Sequence, residues 1–202
     1  MRILLVGATG TIGKAIASAL APRHEVLAAA RSGTANVLNI DKPESIRTLM
    51  AGIGRVDAIV CAAGQAVFRP LPDLTDEDFA LSLHSKMMGQ VNLIRFGLAA
   101  VVDGGSITLT SGTLAQNPIP GGAAISLVNA GLEGFARAAA LEAPRQIRVN
   151  VVSPGWVTET LLANRMDPAA GTPAAAVAQF YLQAIEGRMT GQTIVVRRTI
   201  AG

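Results

Sequence analysis

The chain has 202 residues, half of them hydrophobic and only 3% aromatic, with a formal net charge of +3. That length and apolar content suit one domain with a sizeable core. With no Lys/Arg run beyond Arg197-Arg198, the chain lacks the basic stripe and stacking aromatics of a nucleic-acid surface. One cysteine, Cys61, excludes an internal disulfide and a cysteine-based metal site. No stretch approaches the ~20 apolar residues of a membrane span, and the apolar run after Met1 is too short for a signal segment. The expectation is a cytoplasmic protein, a single domain over 1–202, with no metal, nucleic acid or membrane as partner.

Residues 3–6 read as a buried strand and 11–21 as a helix, with Pro22 just past its end. A second strand covers 25–30 and a short third covers 37–39. Asp41 and Glu44 have capping-box spacing, with Pro43 in the first turn of the helix they would open. A fourth strand covers 57–62. Thr75 opens a long helix over 76–102, with Asp76, Glu77 and Asp78 at its positive end. A strand at 106–110, a helix at 125–143 stopped by Pro144, and a strand at 147–152 follow. A loop at 158–172, a helix at 173–185 and a last strand at 193–196 complete the chain. Strands alternating with helices predict an α/β doubly wound parallel sheet, a Rossmann fold of about seven strands with helices on both faces.

Gly7-Ala8-Thr9-Gly10-Thr11-Ile12-Gly13 joins the first strand to the first helix. One glycine makes the tight turn, one lets the backbone approach a pyrophosphate, and one lets the helix pack on the strand. The helix N-terminus then offers free N–H groups and a partial positive charge. The context, strand then helix, raises this above a plain βα turn. The second strand ends at Ala30-Arg31-Ser32. An NAD site usually carries an Asp or Glu near there for the ribose 2′-hydroxyl. Arg31 instead suits a 2′-phosphate, unless it is simply a solvated strand-end arginine. NADP is the expected cofactor, with NAD the lesser alternative.

With these motifs in view, the chain resembles the short-chain dehydrogenase/reductase family over nearly its whole length. Gly7, Gly10 and Gly13 resemble its cofactor turn. Asn39-Ile40 lies where the family sets an Asp-Val pair against the adenine. Cys61-Ala62-Ala63-Gly64 resembles its Asn-Asn-Ala-Gly motif with both asparagines lost. Leu109-Thr110-Ser111-Gly112 is similar to the strand carrying the catalytic serine. Arg148-Val149-Asn150, Ser153-Pro154-Gly155-Trp156-Val157 and Thr190-Gly191-Gln192 match its later segments. The resemblance implies a cofactor site made of Gly7, Thr9, Gly10, Thr11, Ile12, Gly13, Arg31, Ser32, Asn39, Ile40, Ala62, Ala63, Gly64, Pro154, Gly155 and Val157.

The family's chemistry is hydride transfer at the nicotinamide, with a tyrosine as acid/base and a lysine four residues later on the ribose. Here those places hold Ile125 and Asn129, and the family's relay asparagine is Lys86. Asparagine and lysine have thus changed places. Ile125 has no titratable proton. Tyr181, the chain's one tyrosine, stands on the last helix. Lys86 is one of three lysines against fourteen arginines; it reads either as a snorkelling surface lysine or as an ammonium delivered to the site. Ser111 reads either as the polarising serine or as a strand-end cap. Glu159 occupies the family's threonine place for a phosphate contact. The candidate catalytic set is therefore Lys86, Ser111 and Asn129.

Two readings lead from here. In one, the protein is an NADP-dependent oxidoreductase of a small carbonyl or alcohol, with Lys86 as acid/base. In the other, it is a non-catalytic NADP-binding sensor or regulatory subunit. A dinucleotide-dependent isomerase or lyase ranks third. The resemblance also implies a homodimer or homotetramer through helices 76–102 and 125–143, with Gly131, Gly134 and Ala138 keeping one side of the latter thin.

Overall fold

Every strand among the described residues runs parallel to its neighbours. The computed structural model describes residues 1–197; Arg198 lies outside them. The strands are β1 (Arg2–Val6), β2 (Glu25–Ala30), β3 (Asn36–Val37), β4 (Val56–Cys61), β5 (Val101–Thr110), β6 (Arg148–Ser153) and β7 (Thr193–Val195). They form one sheet in the order β3-β2-β1-β4-β5-β6-β7. The order reverses between β1 and β4, and the crevice at the carboxyl ends there is where this architecture takes ligands.

The strands are apolar on both sides because both sides are covered. Leu4 and Val6 of β1 belong to one core cluster, which also holds Ile46, Leu93 and Leu132. Ile3 and Leu5 point the other way, into a cluster with Ile16, Val177 and Tyr181. The covering helices are α1 (Thr11–Leu20), α2 (Pro43–Gly52), α3 (Asp76–Ser82), α4 (Gly89–Gly97), α5 (Ala123–Glu142), α6 (Thr158–Ala163) and α7 (Ala174–Glu186).

Four expectations change. The capping box of Asp41 and Glu44 does not form: α2 begins at Pro43 with no side-chain cap. Asn39 takes over locally, its Oδ1 accepting from Asp41 N at 3.0 Å while Ser45 Oγ accepts from Asn39 N at 3.1 Å. The short strand lies at 36–37, because β2 ends at Ala30 and offers pairing only to Asn36 and Val37. The stretch 158–172 is not simply a loop. It contains α6, and Val157 pairs with Thr172 in an isolated bridge.

The largest change is in the long helix. Thr75 does cap it, in a capping box with Asp78, but it stops at Gly97, and Val101 and Val102 begin β5. In its middle, Leu83–Met88 winds as a π-helix, with Gly89 N bonded to His84 O. Such wide turns are rare and cluster at functional sites, and here the Gln90 side chain donates to the Lys86 carbonyl (Nε2 to O, 3.1 Å). Gly131 packs against this segment, where a Cβ would lie 2.8 Å from Met87 Sδ. Its thinness therefore serves packing inside the subunit. Gly134 has nothing but an Arg137 nitrogen within 4 Å of such a Cβ.

Candidate cofactor and active site

The turn after β1 is built around backbone contact. Gly7 has φ +85°, and a Cβ there would lie 2.7 Å from Ala62 O. A Cβ on Gly13 would lie 2.0 Å from Gly7 O. These two glycines press α1 onto the turn and the turn onto the end of β4. Gly10 is the N-cap of α1 and adds no side-chain cap; the first turn holds no acidic residue. The N-terminus of this ten-residue helix therefore keeps its donors for something else.

Two cavities lie along the carboxyl ends of the strands. The first, about 280 Å³, is lined by Gly7, Thr9, Gly10, Ala30, Arg31, Ser32, Asn39, Ile40 and Asp41. The second, about 270 Å³, is lined by Ile12, Lys86, Ser111, Ile125, Asn129, Pro154, Gly155, Trp156 and Val157, among others. Ala62, Ala63 and Gly64 line both and join them into one cleft. Thr11 lies beside the cleft, on a groove shared with Lys14. Gly13 lines neither cavity and acts only by packing. Arg31 is exposed and forms no ion pair among the described residues.

The second cavity brings together Lys86, Ser111 and Asn129, three residues from the middle helix, the end of β5 and α5. Lys86 Nζ donates to the Ser111 carbonyl oxygen at 3.1 Å. A Cβ on Gly64 would lie 2.9 Å from Lys86 Cα, so only glycine lets the β4 end approach this helix so closely. Two serine hydroxyls hold the segment that follows: Ser85 Oγ accepts from Gln65 N at 3.1 Å and Ser82 Oγ from Val67 N at 3.0 Å. Burial pulls the Lys86 ammonium down to about 8, against a smaller opposing effect of Cys61. Asn129 is buried, and its Oδ1 has no hydrogen-bond partner among the described residues. Ile125 is an apolar wall of the same cavity.

Several functional neighbours carry no family motif. Ser111 Oγ donates to Glu133 Oε1 at 2.8 Å, and Gln116 Nε2 donates to Glu133 Oε2. Ile125, Asn129 and Glu133 stand four residues apart on one row of α5; that spacing was the available signal for Glu133. Gln90, fully buried, accepts from Thr110 N at 2.8 Å and donates to Thr110 O at 2.9 Å, closing the end of β5 as a further strand would.

The remaining candidates fall outside the site. Tyr181 is fully buried behind it. Thr110 Oγ1 donates to Cys61 O at 2.5 Å and lies 2.6 Å from the Tyr181 hydroxyl, and burial pushes both Tyr181 and Cys61 up, the latter to about 12. Glu159 accepts from Ala174 N at 2.9 and 3.1 Å and so caps α7, on the groove it shares with Thr9, Gly10 and Thr11. His84 is exposed, with Nε2 2.7 Å from Asp41 O. The His24 side chain is 9% exposed and lies 2.9 Å from Glu186.

An extended dinucleotide fits this cleft: a glycine-lined turn, an uncapped helix N-terminus, a basic residue at the β2 end, and a buried amide oxygen without a partner at the far end. These features define the class, a doubly wound α/β protein with a crevice of the dinucleotide-binding type. A family model described as enoyl-(acyl carrier protein) reductase matches residues 14–196. The chain belongs to the short-chain dehydrogenase/reductase family. The Listeria innocua protein lin1944 is 38% identical, with a TM-score of 0.93 over 98% of this chain and 100% of that one. A small-chain dehydrogenase in complex with NADPH is 26% identical, with a TM-score of 0.85 over 97% and 96%. A hydroxynaphthalene reductase-like protein of Metarhizium majus is 31% identical over 179 residues, 76% of this chain and 67% of that protein. Its counterpart in Metarhizium brunneum is 33% identical over 106 residues, 52% of this chain and 40% of that protein. The chain thus spans well under half of the latter relative.

Proposed function

We propose that the protein is an NADP-dependent oxidoreductase of a small carbonyl or alcohol, with Lys86 in the acid/base role. The observation that carries this is Lys86 itself, a cation held in an apolar cavity beside Ser111 and Asn129 at the end of the cleft. A general acid works best with a pKa near the operating pH, and burial brings Lys86 to about 8. Lys86 would hold or release a proton at the substrate oxygen, and Asn129 would bind the ribose. The helix N-terminus at Gly10, Thr11 and Ile12 would take the pyrophosphate, and Arg31 and Ser32 the 2′-phosphate. Gly7, Thr9 and Gly13 shape that turn. Asn39 and Ile40 would flank the adenine, and Ala62, Ala63, Gly64, Pro154, Gly155 and Val157 would line the rest. A bound nicotinamide would supply or accept the hydride. The NADPH held by the small-chain dehydrogenase and the reductase names of the curated relatives support this reading.

The test is a fluorescence titration with NADPH and NADH, followed by a panel of aldehydes, ketones and quinones. Binding with turnover that falls at least tenfold in Lys86→Met supports the reading; equal turnover in the variant removes Lys86 from the acid/base role. Ile125 in the tyrosine place favours a second reading, an NADP-binding protein without turnover, which steady NADPH oxidation on any panel member would sink. We also propose a homodimer or homotetramer through the α3–α4 and α5 helices, where Leu127 and Leu141 are exposed. A monomer in sedimentation equilibrium would contradict it.

A further inference from the structure

In the family, the serine at the end of β5 donates its proton to the substrate oxygen. In this chain that proton already has a partner. Ser111 Oγ donates to Glu133 Oε1 at 2.8 Å. Gln116 Nε2 donates to the other carboxylate oxygen. Glu133 is 4% exposed and pairs with no cation among the described residues. An ionised carboxylate only accepts hydrogen bonds. Turning the Ser111 hydrogen away would leave a buried carboxylate oxygen without one of its two donors, a costly loss.

A hydroxyl has one hydrogen and two lone pairs. With its hydrogen held by Glu133, Ser111 offers the cavity lone pairs only. Lys86 is the cavity's cationic donor, so the polar end pairs a donor with an acceptor. A carbonyl oxygen has no hydrogen to give and meets the Ser111 lone pairs unfavourably. A hydroxyl group satisfies both, accepting from Lys86 and donating to Ser111. The lining also holds Thr110, Thr113 and Asn129, and Leu114, Ile125 and Trp156 supply its apolar face. Phe68 meets Trp156 edge to face at 6.3 Å between ring centres.

We propose that Glu133 sets Ser111 as a hydrogen-bond acceptor toward the cavity, so that the site selects the hydroxyl form of an apolar substrate over its carbonyl form. This rests on reading the cavity as the substrate site. Glu133 touches no substrate; it is a positioning residue acting through Ser111. The favoured ligand class is an apolar alcohol.

The test uses 1-tetralol and 1-tetralone, which share one skeleton, titrated separately by calorimetry into the protein without cofactor. The alcohol is expected to bind about tenfold tighter, the scale of one hydrogen bond made or lost. In Glu133→Met the Ser111 hydrogen is released, and the ratio should fall to about one or invert. Equal affinities in the wild type, or an unchanged ratio in a folded Glu133→Met, overturn the proposal. Should that variant not fold, Ser111→Ala removes the acceptor and should level the ratio; an unchanged preference there overturns it equally. Neutron diffraction of the wild type reads the same point directly. Deuterium on Ser111 Oγ directed at Glu133 supports the proposal, and deuterium on Glu133 directed at Ser111 defeats it. None of these measurements needs NADP or turnover, so a failure here leaves the oxidoreductase reading untouched, and a protein without turnover can still pass.

Discussion

Lys86 Nζ donates to the backbone carbonyl oxygen of Ser111 across 3.1 Å, tying the π-helical segment of one helix to the end of β5. The consequence is a pH-dependent stability. Burial lowers Lys86 from its ordinary value to about 8, so the unfolded chain holds this proton more tightly than the folded one. Stability from this group is therefore present above about pH 10.4, its unfolded value, and is lost as pH falls through about 8. The full swing is at most about 3 kcal/mol, from 1.36 kcal/mol per pKa unit. Lys86→Met should be more stable than the wild type at pH 7, and the gap should close between pH 8 and 10.5. Urea unfolding at pH 7 and pH 10 checks this; a gap independent of pH would place the ammonium in solvent.

Gly10 and Gly13 should respond differently to the same added methyl group. A Cβ at Gly13 meets Gly7 O at 2.0 Å, whereas at Gly10 it meets only Gly7 O at 3.4 Å. Gly13→Ala must push α1 off the turn, costing about 3 kcal/mol or more of stability, the scale of overpacking. Gly10→Ala should fold as the wild type does but lose NADPH affinity, because its methyl group fills the place where a phosphate would approach. Thermal unfolding and NADPH titration on both variants separate the two effects. Equal behaviour would remove the distinction between packing glycine and binding glycine.

Arg31 stands at the end of β2 where Ala30 leaves no carboxylate, and no acidic side chain pairs with it among the described residues. Arg31→Ala should weaken NADPH binding about tenfold or more, the scale of a charge-assisted hydrogen bond, with NADH binding unchanged. The ratio of the two dissociation constants is the measurement. If both cofactors weaken together, Arg31 does not read the 2′-phosphate.

Gln90 satisfies both backbone groups of Thr110 from a fully buried position. Gln90→Leu keeps the volume but strands an N–H and a C=O, at about 1–3 kcal/mol for each unpaired buried group. A loss of about 3 kcal/mol in urea unfolding is expected. A loss under about 1 kcal/mol would mean that water replaces the amide there.

Much of the frame was legible from local signals. The apolar runs of β1, β4 and β6 and the glycine turn state their own structure, since a parallel strand buried on both faces has to be apolar throughout. The helix reading failed at 98–102, where Leu98-Ala99-Ala100 offers no proline or polar stop and the chain turns without one. It also failed at Asp41 and Glu44, where the spacing was right and Asn39 made the local bonds instead. That Lys86 and Asn129 line one cavity was not legible in the order of residues.

The sequence by itself determined the α/β frame, the glycine turn and the absence of a carboxylate at Ala30. These are matters of residue type and short-range order. Only the tertiary structure decided which polar groups answer one another: Glu133 taking the hydrogen of Ser111, Lys86 meeting the Ser111 carbonyl, Gln90 closing β5, and Glu159 turning to cap α7. Each of those contacts joins residues 15 to 25 positions apart. A buried donor or acceptor must find a partner wherever packing brings one within reach, and packing is a property of the assembled sheet and helices.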